Sequence, residues 1–214
     1  MYRDRSSRSV GEPIAVSTNR LEAFSDGVLA VAITLLVLDI KVPPTKYHDL
    51  AHQLAINWPQ YAAYITSFMT IGIIWINHHA MIGRLRQADH VILFWNLLLL
   101  LSVGIIPFAT SLMATYLKQD HGQHLAAAIY SGSLLLMSVT FAALNRQILL
   151  VRADMLEVEL SEQRRRQIFR RAVTGFVPYV VALALAPLSA YATLAICAGV
   201  GAFYATPLAS GSEG

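Results

Sequence analysis

Residues 20–39 read RLEAFSDGVLAVAITLLVLD, a polar cluster running directly into an apolar helix-length stretch. From Gly27 to Leu38 the only hydroxyl is Thr34, and the run is entered through Arg20, Glu22, Ser25 and Asp26. At about 1.5 Å per residue, a helix over 20–41 is long enough to cross a hydrocarbon core of about 30 Å. Pro43 and Pro44 end it. A carboxylate one turn inside such a span is costly unless it faces protein or water and has a partner, which marks Asp26 as a functional or architectural position.

Five further apolar runs follow. Spans are expected over about 58–81, 90–117, 124–150, 172–187 and 189–207, the last two short, rich in Ala and Gly, and joined by Pro187-Leu188-Ser189 as a tight hairpin. Trp58, Pro59 and Tyr61 open the second span as an interfacial cluster, and Pro107 is expected to kink the third. Residues 43–57 are expected to be a polar loop. The segment 151–171, VRADMLEVELSEQRRRQIFRR, carries opposite charges at helical spacings and is expected to extend the helices into solvent. The domain division is a mobile cytoplasmic tail over 1–18, a six-helix membrane domain over 19–208 and a C-terminal tail over 209–214.

Composition agrees with a polytopic, all-α membrane protein. Apolar residues make up 56% and charged residues 14% of the 214, with a mean hydropathy of +0.52. A net charge of +3 would be compatible with nucleic acid, but the basic residues sit in short segments between apolar runs, a topogenic pattern. Runs this long exclude a β-barrel, whose strands alternate with period two. The lone cysteine, Cys197, excludes an intrachain disulfide framework or a cysteine metal cluster and is expected to pack.

Six spans place thirteen arginines (3, 5, 8, 20, 84, 86, 146, 152, 164, 165, 166, 170 and 171) on one side and Lys41, Lys46 and Lys118 on the other. By the positive-inside rule both termini are cytoplasmic, Asp26 lies near the inner face and Asp39 near the outer one. A bacterial inner membrane is the expected location.

On a helical wheel at about 100° per residue, Arg20, Phe24, Val31, Leu35 and Leu38 share an arc of about 60°, with Gly27 and Thr34 at its edge. Ser25 and Asp26 point elsewhere. The apolar arc suits lipid or sister helices equally well, and periodicity does not identify a pore. Asp26 needs partners, and Trp75, Asn77, His78 and His79 fall at the same depth on the second span, where they can close a hydrogen-bond network with Ser25 and Asp26. A metal or catalytic centre there is disfavoured, because adjacent histidines on a helix diverge by about 100°. No metal or other cofactor is expected. Asn96 and Asn145 are expected to be interhelical hydrogen-bonders, and His48, His52, His121 and His124 solvated.

Arg20, Phe24, Ser25 and Asp26 form an R-x-x-x-F-S-D signature followed by a G-x-x-A-x-A-I-T-L-L-V-L-D-I span. Together with Trp75, Asn77, His78 and the six-span layout, this resembles the prokaryotic branch of the transmembrane protein 175 family of potassium channels. The resemblance implies a homotetramer in membrane lipid, with the first helix of each subunit lining a pore for monovalent cations. It implies an apolar constriction in place of a carbonyl filter, falling on Val31 with Leu35 and Leu38 further out. Thr34 then matches a hydroxyl linked to potassium preference. Arg20, Phe24, Ser25, Asp26, Trp75, Asn77 and His78 would form the supporting scaffold, and Asp39 a charged ring at the outer mouth. Val31 departs from the family's usual isoleucine and is one methylene smaller. The alternative to a channel is a proton-coupled secondary transporter with Asp26 and His78 as a relay, and a further one is a non-conducting scaffold.

Overall fold

The computed structural model describes residues 17–43 and 49–204. The expected tail over 1–18 lies outside the described residues as far as 16, and Thr18 already belongs to the first helix; the expected tail over 209–214, together with Lys46 and His48, also lies outside them. Eight α-helices occur among the described ones: α1 Thr18–Leu35, α2 Leu50–Ile56, α3 Trp58–Ile82, α4 His90–Tyr116, α5 Gln123–Arg146, α6 Glu162–Thr174, α7 Val177–Leu185 and α8 Ala190–Tyr204. Five segments are long and apolar enough to cross a membrane: Thr18–Asp39, Trp58–Ile82, His90–Tyr116, Gln123–Val151 and Glu162–Leu185, with the shorter α8 as a sixth apolar helix. The chain is an all-α, multi-pass membrane protein.

α4 and α5 form the central hairpin of the bundle. α1 and α3 pack on α4, α7 and α8 pack on α5, and α3 meets α8 across the remaining side. The α4–α5 turn closes at Gly122, which has φ of 87°; a side chain there would press against the Tyr116 ring. The core contains Ile71, Ile82, Ile92, Leu99, Ile106, Met113, Tyr130 and Leu134, all fully buried. Hydroxyls cross-link it. Thr110 Oγ1 donates to the Ile106 carbonyl, so the 2.7 Å contact from Ser67 and the 3.0 Å contact from Tyr130 order as a Tyr130-to-Ser67-to-Thr110 donor chain joining α5, α3 and α4. α8 turns Ala190, Thr193, Cys197 and Gly201 inward, small residues that allow close approach.

Three segments differ from the sequence expectation. Residues 43–57 contain α2, which is capped by the Asp49 carboxylate accepting from His52 N–H at 3.0 Å. Its C-terminus is held by Lys118, whose Nζ donates to the Ile56 carbonyl at 2.9 Å and lies over the Trp58 ring. Span five starts earlier than Ala172, because α6 leads into α7 through right-handed helical backbone at Gly175 and Phe176. The helix of span four ends in a π turn over Gln147–Val151, and the segment 152–161 is not helical extension. It holds a short 3-10 turn and a β-bridge between Leu85 and Leu156, beside which buried Asp89 caps α4 and pairs with Arg152 at 2.7 Å. His124 is also more than solvated, since Nδ1 donates to the Ala186 carbonyl at 2.9 Å.

Candidate functional site

α1 has two unlike faces. Leu21, Ser25, Leu29, Ala32 and Leu36, spaced by four, four, three and four residues, are buried against α3 and α4. The other face holds Phe24, Val31, Thr34, Leu35 and Leu38, all exposed, with Val31 at 57% and Leu38 at 75%. The helix tightens into a 3-10 turn over Leu36–Asp39, and the Lys41 N–H donates to Gln60 Oε1 at 2.9 Å, tying its C-terminal end to α3. Thr34 Oγ1 donates to the Val31 carbonyl at 2.8 Å, which satisfies the hydroxyl within its own helix and leaves its lone pairs outward.

At the opposite end a buried donor chain fixes α1 to the bundle. Ser25 Oγ donates to the Leu21 carbonyl at 2.8 Å, and Asn96 Nδ2 of α4 donates to Ser25 Oγ at 3.0 Å. Asn96 Oδ1 must therefore accept the 2.7 Å bond from His78 of α3, which places the ring proton on Nε2. Ser25, His78 and Asn96 are each wholly buried, so the chain operates without competing water and has one consistent direction. A more exposed layer flanks it: Trp75 Nε1 donates to Asp26 Oδ1 at 2.9 Å, and Glu22 meets His79 Nδ1.

Of the scaffold residues expected from sequence, Ser25, Asp26, Trp75 and His78 are brought together in these two layers. Arg20, Phe24 and Asn77 are not. Arg20 and Phe24 are exposed on α1, and Asn77 Nδ2 bonds the Ile73 carbonyl of its own helix at 2.8 Å. Asn96 takes the place assigned to Asn77. Its signal in the sequence was a single amide inside the apolar run LFWNLLLLL, where an unpaired side chain is costly. Asp26 and His78 lie on separate branches, with Trp75 and Asn96 as their respective partners. Among the described residues, no group of three or more His, Cys, Asp or Glu side chains is placed to hold a metal ion.

A sequence profile described as endosomal/lysosomal potassium channel TMEM175 matches residues 20–107, the segment carrying α1, α3 and most of α4. A potassium channel of Streptomyces collinus is 40% identical over 179 residues, covering 83% of this chain and 86% of its own. The crystal structure of a lysosomal potassium-selective channel TMEM175 homolog from Chamaesiphon minutus superposes with a TM-score of 0.78 at 37% identity, covering 91% of this chain and 98% of that one. The human endosomal/lysosomal proton channel TMEM175 is 30% identical over 184 residues, covering 82% of this chain and 36% of its own.

Proposed function

The chain belongs to the TMEM175 family, and from that premise we propose that it is a potassium channel whose ion path runs along the exposed face of α1. Its bacterial relatives are named as ion channels, not enzymes. The observation that carries the proposal is the apolar stripe Val31, Leu35 and Leu38, left without a partner while the opposite face of the same helix is fully packed. Four copies arranged about an axis cover that stripe and convert it into stacked rings. Val31 to Leu38 spans about 10 Å of helix. Rings of this kind gate by dewetting when narrow, so selectivity comes from size and dehydration cost, and the smaller Val31 makes its ring wider than isoleucine would. Thr34 adds a hydroxyl oxygen beside the constriction, and Asp39 supplies charge at the outer mouth. The arginine distribution orients the channel in a bacterial inner membrane with both termini cytoplasmic.

Potassium flux into liposomes from purified protein tests this reading. Leu35→Asn is expected to wet the constriction and raise flux severalfold, and Leu35→Trp to suppress it. Flux that ignores both substitutions, or a purified assembly that is not tetrameric by native mass spectrometry, sinks the α1 pore. A proton-coupled carrier using Asp26 and His78 would instead give saturable, pH-linked flux that Asp26→Asn abolishes without loss of assembly.

A further inference from the structure

α7 is too short to cross a bilayer. Its nine residues, Val177–Leu185, cover about 13 Å of a core about 30 Å thick. The rest of the crossing has to come from α6, and the backbone is built for it. Gly175 (φ −62°, ψ −22°) and Phe176 (φ −85°, ψ −18°) stay in the right-handed helical region, with N–H bonds running back to Arg171 and Val173. Measured along the helix from Leu185, Arg171 lies about 21 Å away and Arg166 about 28 Å. The edge of a core about 30 Å thick therefore falls near Arg166, and Arg170 and Arg171, within about 9 Å of it, reach the headgroup layer through their long side chains.

The same helix sorts its arginines by face. Arg164, Arg165, Ile168, Phe169, Ala172 and Val173 are half-buried toward α5, where Arg165 Nη1 donates to the Leu149 carbonyl at 3.1 Å. Arg166, Arg170 and Arg171 are exposed on the opposite side; Arg166 and Arg170, at i and i+4, share one stripe, and Arg171 lies about 100° further round. Arg166 pairs with Glu162 through bonds of 2.9 and 2.6 Å. Among the described residues, neither Arg170 nor Arg171 has an ion-pair partner.

We propose that Arg170 and Arg171, with Arg166 one turn before them, form a binding site for the phosphate headgroup of an anionic glycerophospholipid on the outward side of the α6–α7 helix. Two guanidinium groups without an ion-pair partner among the described residues stand on adjacent positions about 100° apart, and their long side chains can close on a phosphodiester from two sides, complementing it in charge and donor geometry. The inference rests on the chain crossing the bilayer, not on which ion it conducts.

Native mass spectrometry of the full chain in neutral detergent, titrated with phosphatidylglycerol or phosphatidylcholine, tests it. Wild type is expected to prefer phosphatidylglycerol. The pair Arg170→Gln/Arg171→Gln is expected to lose that preference by roughly 25-fold, about fivefold per arginine. Arg170→Lys/Arg171→Lys retains most of it, and Arg86→Gln/Arg146→Gln, with the same charge change elsewhere, leaves it intact. Equal binding of the two lipids by wild type, or equal loss in the Arg86/Arg146 pair, overturns the site. So does displacement of the lipid by millimolar glycerol 3-phosphate, which would make it a site for soluble phosphate, or a changed oligomeric state in Arg170→Gln/Arg171→Gln, which would make this face a subunit contact. Potassium flux measured on the same preparations keeps failure of the lipid site separate from failure of the channel.

Discussion

The two faces of α1 are almost equally apolar in sequence and opposite in circumstance. Leu29 and Leu36 are 1% and 0% exposed, whereas Leu35 and Leu38, beside them on the same helix, are 43% and 75% exposed. In lipid, apolarity alone does not decide where a side chain goes, because the tails are as apolar as leucine. What separates the faces is polar: Ser25 on one face is locked to Asn96 and His78, and that lock sets the rotation of the whole helix. The buried face is thus specified by hydrogen bonding and close packing, and the outer face is what remains for an assembly to use.

Substitutions can break this contrast in order of size. Asn96→Leu has the largest expected effect. It strands the His78 Nε2 proton and removes a donor from Ser25, and at about 1–3 kcal/mol for each buried group left unpaired it should cost about 3 kcal/mol, read as a lowered thermal midpoint in detergent. Leu29→Ala comes next, at about 2 kcal/mol for a packed leucine truncated to leave a cavity. A cost well below that would mean the face is less tightly packed than its burial implies. Trp75→Phe removes the bond to Asp26 in the more exposed layer and should cost about 1 kcal/mol. Tyr130→Phe, which deletes the first donor of the core hydroxyl chain while Ser67 keeps Thr110, should cost about 0.6 kcal/mol, the typical worth of an interhelical hydrogen bond in a bundle. Smallest of all, Leu35→Ala should change stability by less than about 0.5 kcal/mol. A loss as large as that of Leu29→Ala would show that subunits pack tightly on this face and leave no water-filled path there.

Much of the membrane architecture was legible from apolar run length. The spans over α1, α3, α4 and α5 were expected within a few residues, because a backbone in hydrocarbon must satisfy its own hydrogen bonds and a helix about twenty residues long does so. Legibility failed where the signal was amphipathic and short. α2 lay hidden in a stretch expected to be polar loop, and the start of span five was masked by the arginines of α6, which hydropathy counts as solvent although they belong to a continuous helix. In the site, Ser25, Asp26, Trp75, Asn77 and His78 were named from shared depth and from the family resemblance. Depth does not fix rotation: one residue along a helix is a turn of about 100°, and the Asn77 amide beside His78 faces away from the network.

By itself, then, the sequence determined that this chain crosses a membrane several times and that the first span begins in a polar signature needing partners. Those properties follow from transfer free energies and helix length, which depend on local composition. The tertiary structure decided which partners were taken: Asn96 instead of Asn77 for the buried chain, Glu22 for His79, and separate branches for Asp26 and His78. It also decided which of two similar apolar faces of α1 went inward. Such choices depend on helix rotation and on the direction of single hydrogen bonds between elements 18 to 71 residues apart, and periodicity in one helix holds no information about the phase of another.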